Sequence, residues 1–212
     1  MTPTKLLSAA LVSLGFILPL ALKAQIVPVL APGSSWEYTT QNPTGSASWA
    51  TSTGGGWSVG LAPFGNANYN DPNFFPNSPW AANGSTADDL WVRKAINLSS
   101  YNLNSINWGL GVDNGYKLYL NGTLISAGFA EGYTYRWEYT GAFASNLLVS
   151  GINYVALALN DTGGYTAFDM QVTGTRLPVA AVPEPATYGL LGAASLAALV
   201  AVRRRRVAGK VA

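Results

Sequence analysis

Apolar and polar positions alternate along the middle of this chain. Ile106, Trp108, Leu110 and Val112 share one face of the stretch 104–113. Tyr116, Leu118 and Leu120 repeat the pattern, as do Val155, Leu157 and Leu159 within 153–160, and Phe168, Met170 and Val172 after them. A period of two places successive side chains on opposite faces of a pleated strand, so each run predicts a half-buried strand. No helical period interrupts them. Asn121-Gly122 joins two such runs, and both residues tolerate the positive φ of a type I′ turn, which predicts a hairpin. Asp113-Asn114-Gly115 and Asp161-Thr162-Gly163-Gly164 predict further turns. Tyr133, Tyr135, Trp137 and Tyr139 alternate as though on one more strand. Residues 65–85, rich in Asn and Pro, read as a long loop. The expected fold is all-β, a jelly roll or β-sandwich.

The two ends break the alternation with continuous apolar runs. Residues 1–24 combine Lys5, an apolar stretch from Leu6 to Leu22 interrupted by Gly15 and Pro19, and a small residue at Ala24. They read as a secretory signal peptide, with an uncleaved anchor as the alternative. The β-sandwich domain then occupies 25–178. A linker follows over 179–185, holding Pro183-Glu184-Pro185. An uncharged, Ala- and Leu-rich run over 186–202 reads as a transmembrane helix, and 203–212 as a basic cytoplasmic tail opening on Arg203-Arg204-Arg205-Arg206. Seventeen helical residues rise ~25 Å, slightly less than a hydrocarbon core. The four arginines hold their end in the cytoplasm, which puts the body on the far side.

Charge changes how the body is read. The whole chain is +2, but the part between the two apolar ends carries five basic and nine acidic residues, a net charge of −4. The basic balance belongs to the ends. The body has no basic patch, which argues against nucleic acid as a partner. The chain has no Cys and no His, so disulfides, Cys/His zinc sites, thiol nucleophiles and Ser-His-Asp triads are excluded. No cofactor is expected; an oxygen-ligated structural calcium is the one metal this composition leaves open.

Seven tryptophans and eleven tyrosines are many for this length. Sugars stack their C–H faces on aromatic rings and bond their hydroxyls to carboxylates and amides. The candidate ligand residues on this logic are Trp80, Tyr133, Tyr135 and Trp137, with Asp113, Asn114 and Asp161 in the turns. The competing reading makes the rings core fillers and the polar residues simple turn formers. Catalysis is not expected. Glu131 and Glu138, the nearest glutamates in sequence, would lie ~23 Å apart on opposite faces of an extended strand, too far for a glycosidase pair.

Two resemblances sharpen this picture. Trp36, then 56–65 (GWSVGLAPFG), 90–94 (LWVRK), 111–122 (GVDNGYKLYLNG) and 151–157 (GINYVAL) follow one another in an order that resembles the galactose-binding-like jelly-roll domains attached to many glycoside hydrolases. That likeness implies the fold, and a sugar-binding body as the functional expectation. The tail, with Pro183-Glu184-Pro185, an apolar helix and a terminal arginine cluster, resembles the PEP-CTERM sorting signal of Gram-negative bacteria. This resemblance implies recognition and processing by exosortase, an exosortase-like membrane protease being the expected partner. It implies export across the inner membrane and a destination at the cell surface or in an exopolysaccharide matrix. The alternatives are a structural matrix protein without a sugar site, and a plain single-pass anchored protein.

Overall fold

The computed structural model describes residues 24–46, 48–66, 75–81, 84, 87–130, 136–178 and 185–208. The expected signal segment falls almost wholly outside them. The chain divides into two compact units, Met1–Leu177 and Pro178–Ala212.

The first unit is a β-sandwich, as the alternation predicts. In one sheet, β1 (Ile26–Leu30) lies antiparallel to β11 (Ala167–Thr175). β11 pairs in turn with the first half of β7 (Asn107–Leu120), which also carries β9 (Tyr139–Ala142). Two short strands, β4 (Phe64–Gly65) and β5 (Ser78–Pro79), extend this sheet beyond the start of β11. The other sheet runs in the order β3 (Ser58–Leu61), β2 (Ser35–Thr39), β6 (Leu90–Asn97), β10 (Ile152–Asn160), the second half of β7, and β8 (Thr123–Ala130).

β7 therefore belongs to both sheets. Its residues 107–113 face β11, and residues 115–120 face β10. This corrects the expected turn at Asp113-Asn114-Gly115, which is the middle of a 14-residue strand. Local turn chemistry loses there because partners on both sheets supply ladder hydrogen bonds across the whole stretch. The Asn121-Gly122 turn forms as expected, with φ of 49° and 82°. Gly163 and Gly164 also take positive φ, at 115° and 90°, in the expected bend before β11.

The alternating positions of the runs 106–112, 116–120, 155–159 and 168–172 all enter the core. Across the two sheets Trp36 meets Phe168 edge to face at 5.3 Å, and Tyr38 meets Phe64 at 5.2 Å. Such pairs add to the burial of their apolar area. A second, smaller cluster sits on the other face of the β6–β10 sheet, where Trp49, Ala50 and Trp57 cover Trp91, Ala156, Ala158 and Tyr119.

The second unit contributes one helix, α1 (Pro185–Ala208), of 24 residues. It starts at the proline of the Pro-x-Pro pair and continues through the arginines, so it is longer than the expected 186–202. Pro suits a first helical turn because its missing N–H would have no partner there. Among the described residues no helix is long and apolar enough to cross a membrane. Gly189, Gly192 and Ser195 dilute the apolar run, and Arg203 ends it.

Candidate functional site

Two places in the chain carry candidate chemistry: one end of the sandwich and the tail. At the sandwich end, β10 finishes at Asn160, β7 changes sheets, and the segment before β6 brings in Asp88 and Asp89.

Trp80 is a core ring. It is 2% exposed, and its Nε1–H donates to Asp89 Oδ1 at 3.0 Å. Thr166 Oγ1 donates to the Trp80 carbonyl. No face of this ring is open for stacking, in contrast to the expectation. It turns inward because the short β4–β5 pairing carries the loop back over the core. Asp113 and Asn114 are buried in the sheet-crossing segment of β7. Asn114 Oδ1 accepts from Thr162 N at 2.7 Å and Thr162 Oγ1 at 2.9 Å, so its amide ties β7 to the bend after β10. Asp161 is buried in that bend and accepts from Gly163 N at 3.0 Å.

Trp137 lies in the turn 136–138 with φ of 61°, so the expected strand does not run through these three residues. Pairing of β9 begins only at Tyr139. The Trp137 side chain leans on Gly109, where an added Cβ would approach its Cγ to 3.3 Å. Tyr133 and Tyr135 lie outside the described residues, as does Glu131. No group of three or more His, Cys, Asp or Glu that could hold a metal occurs among the described residues.

Burial dominates the ionisation of Asp89. It pushes the Asp89 carboxyl up to about 6, with the nearby Asp161 and Asp88 charges adding to the effect and the Trp80 hydrogen bond opposing it.

Beside these groups opens a cleft of about 430 Å³, lined by Asp88, Tyr116, Lys117, Ala127, Gly128, Phe129 and Asn160. Strand register explains its position. Gly115 pairs with Asn160 on one side and Phe129 on the other. A Cβ on Gly115 would run into Asn160 Oδ1 and would stand 3.1 Å from Phe129 Cδ2. Gly128 leaves room for Tyr116 in the same way, since a Cβ there would be 2.6 Å from the Tyr116 ring. Tyr116 is held by Ser126 at 3.0 Å and by the Tyr139 ring at 4.7 Å. Lys117 Nζ donates to Asp88 Oδ2 at 2.7 Å at the margin. None of these cleft residues was a sequence candidate. Glycines inside alternating strand runs were the available signal, since they mark close approach of other groups.

In the tail, Pro183 and Glu184 lie outside the described residues, and Pro185 begins α1. Arg203 and Arg204 are exposed on the helix, and Arg205 and Arg206 continue it.

No curated protein matches the chain. Among solved structures it is similar to a β-glucuronidase of an uncultured Clostridium sp. (TM-score 0.45, 13% identity, 76% of this chain and 30% of that one). It is also similar to the β-glucuronidase from Ruminococcus gnavus in complex with D-glucaro 1,5-lactone (0.46, 11%, 74% and 31%). A third is the Faecalibacterium prausnitzii β-glucuronidase (0.46, 13%, 74% and 33%). The chain thus spans about a third of the length of these enzymes. The tail has a match of its own: residues 181–206 are the PEP-CTERM protein-sorting motif.

Proposed function

We propose that this chain is an exported surface or matrix protein. In this reading a Gram-negative cell sends it across the inner membrane, and an exosortase-like membrane protease processes its tail. The single observation that carries this reading is the sorting motif at 181–206, most of which lies on a helix that begins at Pro185 and runs through the arginines. Before processing the tail contacts the membrane. Its apolar run is short for a bilayer and is accommodated by flanking residues or local thinning. The arginines keep their end inside. Each proline biases the residue before it away from helix, so the chain leading into α1 suits a protease substrate.

Intact-mass measurement of the mature protein from the producing host tests this. The mature form is expected to lack Arg203–Arg206, and Glu184→Ala is expected to leave the tail attached. Mature native protein that retains the four arginines overturns the sorting reading.

The same proposal makes the body a non-catalytic, galactose-binding-like sandwich that associates with extracellular polysaccharide. Its support is the motif order along the body together with an open cleft that mixes an aromatic ring, an amide and a carboxylate. A panel of polysaccharides that includes the producer's own tests this part. Failure to bind any of them removes it and leaves a structural matrix protein.

A further inference from the structure

The cleft over Gly115 has features that turn formation and core packing do not require. Phe129 is 52% exposed, although it stands at the end of a paired strand. Asn160 is 8% exposed, and the part of it that stays accessible lines the cleft. Here the amide lines an open cleft, where a ligand hydroxyl can both donate to it and accept from it. The hollow between ring and amide exists because position 115 has no side chain.

We propose that this cleft holds one residue of a neutral glycan. The apolar face of the sugar ring lies on Phe129, with hydroxyls on the Asn160 amide and the Asp88 carboxylate. This rests on the polysaccharide reading above and adds the place and the charge class to it. The charge class follows from the local ions. Lys117 is the cationic group of the cleft, and Asp88 neutralises it at 2.7 Å. Among the described residues lining the cleft, no uncompensated positive charge remains for a uronate or sulfate. The body's net charge of −4 further opposes a polyanion at low salt. Neutral hydroxyls meet no such penalty, and the carboxylate and amide are good partners for them.

Native affinity electrophoresis of the full chain in mild detergent tests the assignment. The gels contain dextran, galactan or glucomannan as neutral probes, alginate or polygalacturonate as anionic ones, and the producer's exopolysaccharide. Retardation by a neutral gel is expected, and Phe129→Ala and Asn160→Ala should each weaken apparent affinity about tenfold. Gly115→Ala should abolish it by closing the hollow. Phe129→Ala changes an exposed ring, so it keeps the test open if the glycine variant fails to fold. Unchanged retardation of both Phe129→Ala and Asn160→Ala overturns the cleft and leaves the polysaccharide reading standing. Retardation only by the anionic gels overturns the neutral assignment. Absence of retardation in every gel, the producer's own polysaccharide included, overturns the site and the reading together.

Discussion

Asn121 Nδ2 donates to Asn153 Oδ1 at 2.9 Å, so the turn of the β7–β8 hairpin is bonded to the start of β10. Both amides are used heavily. Asn121 Nδ2 also donates to the Leu147 carbonyl, and its Oδ1 accepts from Tyr154 N at 2.8 Å. Asn153 Oδ1 accepts from Val149 N, while its Nδ2 donates to the Val149 and Gly151 carbonyls. Asn153 is fully buried. Asn153→Ala should therefore strand several buried polar groups at once, at about 1–3 kcal/mol each before relaxation. A loss of about 3 kcal/mol in urea unfolding, with an unchanged m-value, is expected. A loss below about 1 kcal/mol would show that water replaces the amide.

The parts of this network were legible in the sequence, but the connection between them was not. Asn-Gly demands positive φ, so a local rule sufficed for the hairpin. Gly151-Ile152-Asn153 could be read as a turn leading into a core strand. The bond between the two amides depends on where β10 lies beside β7, and no local pattern encodes that register. The same limit explains the misplacements. Asp113-Asn114-Gly115 has good turn chemistry, but β10 and β11 pair through it and make it strand. Trp137 sits on a period-two pattern, yet its left-handed φ places it in a turn. Trp80 lies in a Pro- and Asn-rich segment that reads as exposed loop, while its indole is satisfied inside by Asp89. The cleft depends on three strands meeting at Gly115, which again is a matter of register.

Arg93 holds the segment that covers the outer face of the β6–β10 sheet. Its Nε donates to Glu37 Oε2 at 2.8 Å, and its Nη groups donate to the carbonyls of Trp49 and Gly54. The guanidinium carbon lies 3.9 Å from the centre of the Trp57 ring. The Arg93 side chain is 5% exposed and that of Glu37 is 23% exposed. Removing one partner of such a pair leaves a poorly solvated charge and costs about 3 kcal/mol or more. Arg93→Met should destabilise by that amount and speed proteolytic cutting between Ser48 and Trp57. Arg93→Lys should recover only part of the loss, because one ammonium cannot reproduce a planar fork that bonds and stacks. Full recovery with lysine would reduce the role of Arg93 to charge alone.

Gly141 in β9 faces the Trp108 ring, and a Cβ there would stand 2.6 Å from Trp108 Cζ2 and 2.7 Å from Cε2. An indole is rigid and this one is buried, so it cannot yield as a flexible side chain would. Gly141→Ala should cost about 1–3 kcal/mol by overpacking. Near-ultraviolet circular dichroism should also change as the ring shifts, and an unaltered spectrum with native stability would show that β9 moves away instead.

Asp169 makes stability depend on pH in a direction opposite to that of most acids. Its carboxyl, ordinarily at 3.8, is pushed up to about 6, with burial the largest cause. Hydrogen bonds from Gly33 N and Met170 N, and the Arg136 guanidinium 3.4 Å away, pull the other way and do not win. Between 3.8 and about 6 the folded chain holds more protons than the unfolded chain. Its stability therefore falls as pH rises through that window, and the penalty is complete above it. A shift of this size corresponds to about 2–3 kcal/mol at most. Asp89 acts in the same direction, more weakly because solvent screens it. Asp169→Asn keeps an acceptor for the two backbone N–H groups and removes the ionisation. The difference in urea-unfolding free energy between Asp169→Asn and the native chain should shift in favour of the variant by about 2 kcal/mol between pH 4 and pH 7. A difference independent of pH would mean that Arg136 compensates the carboxylate fully.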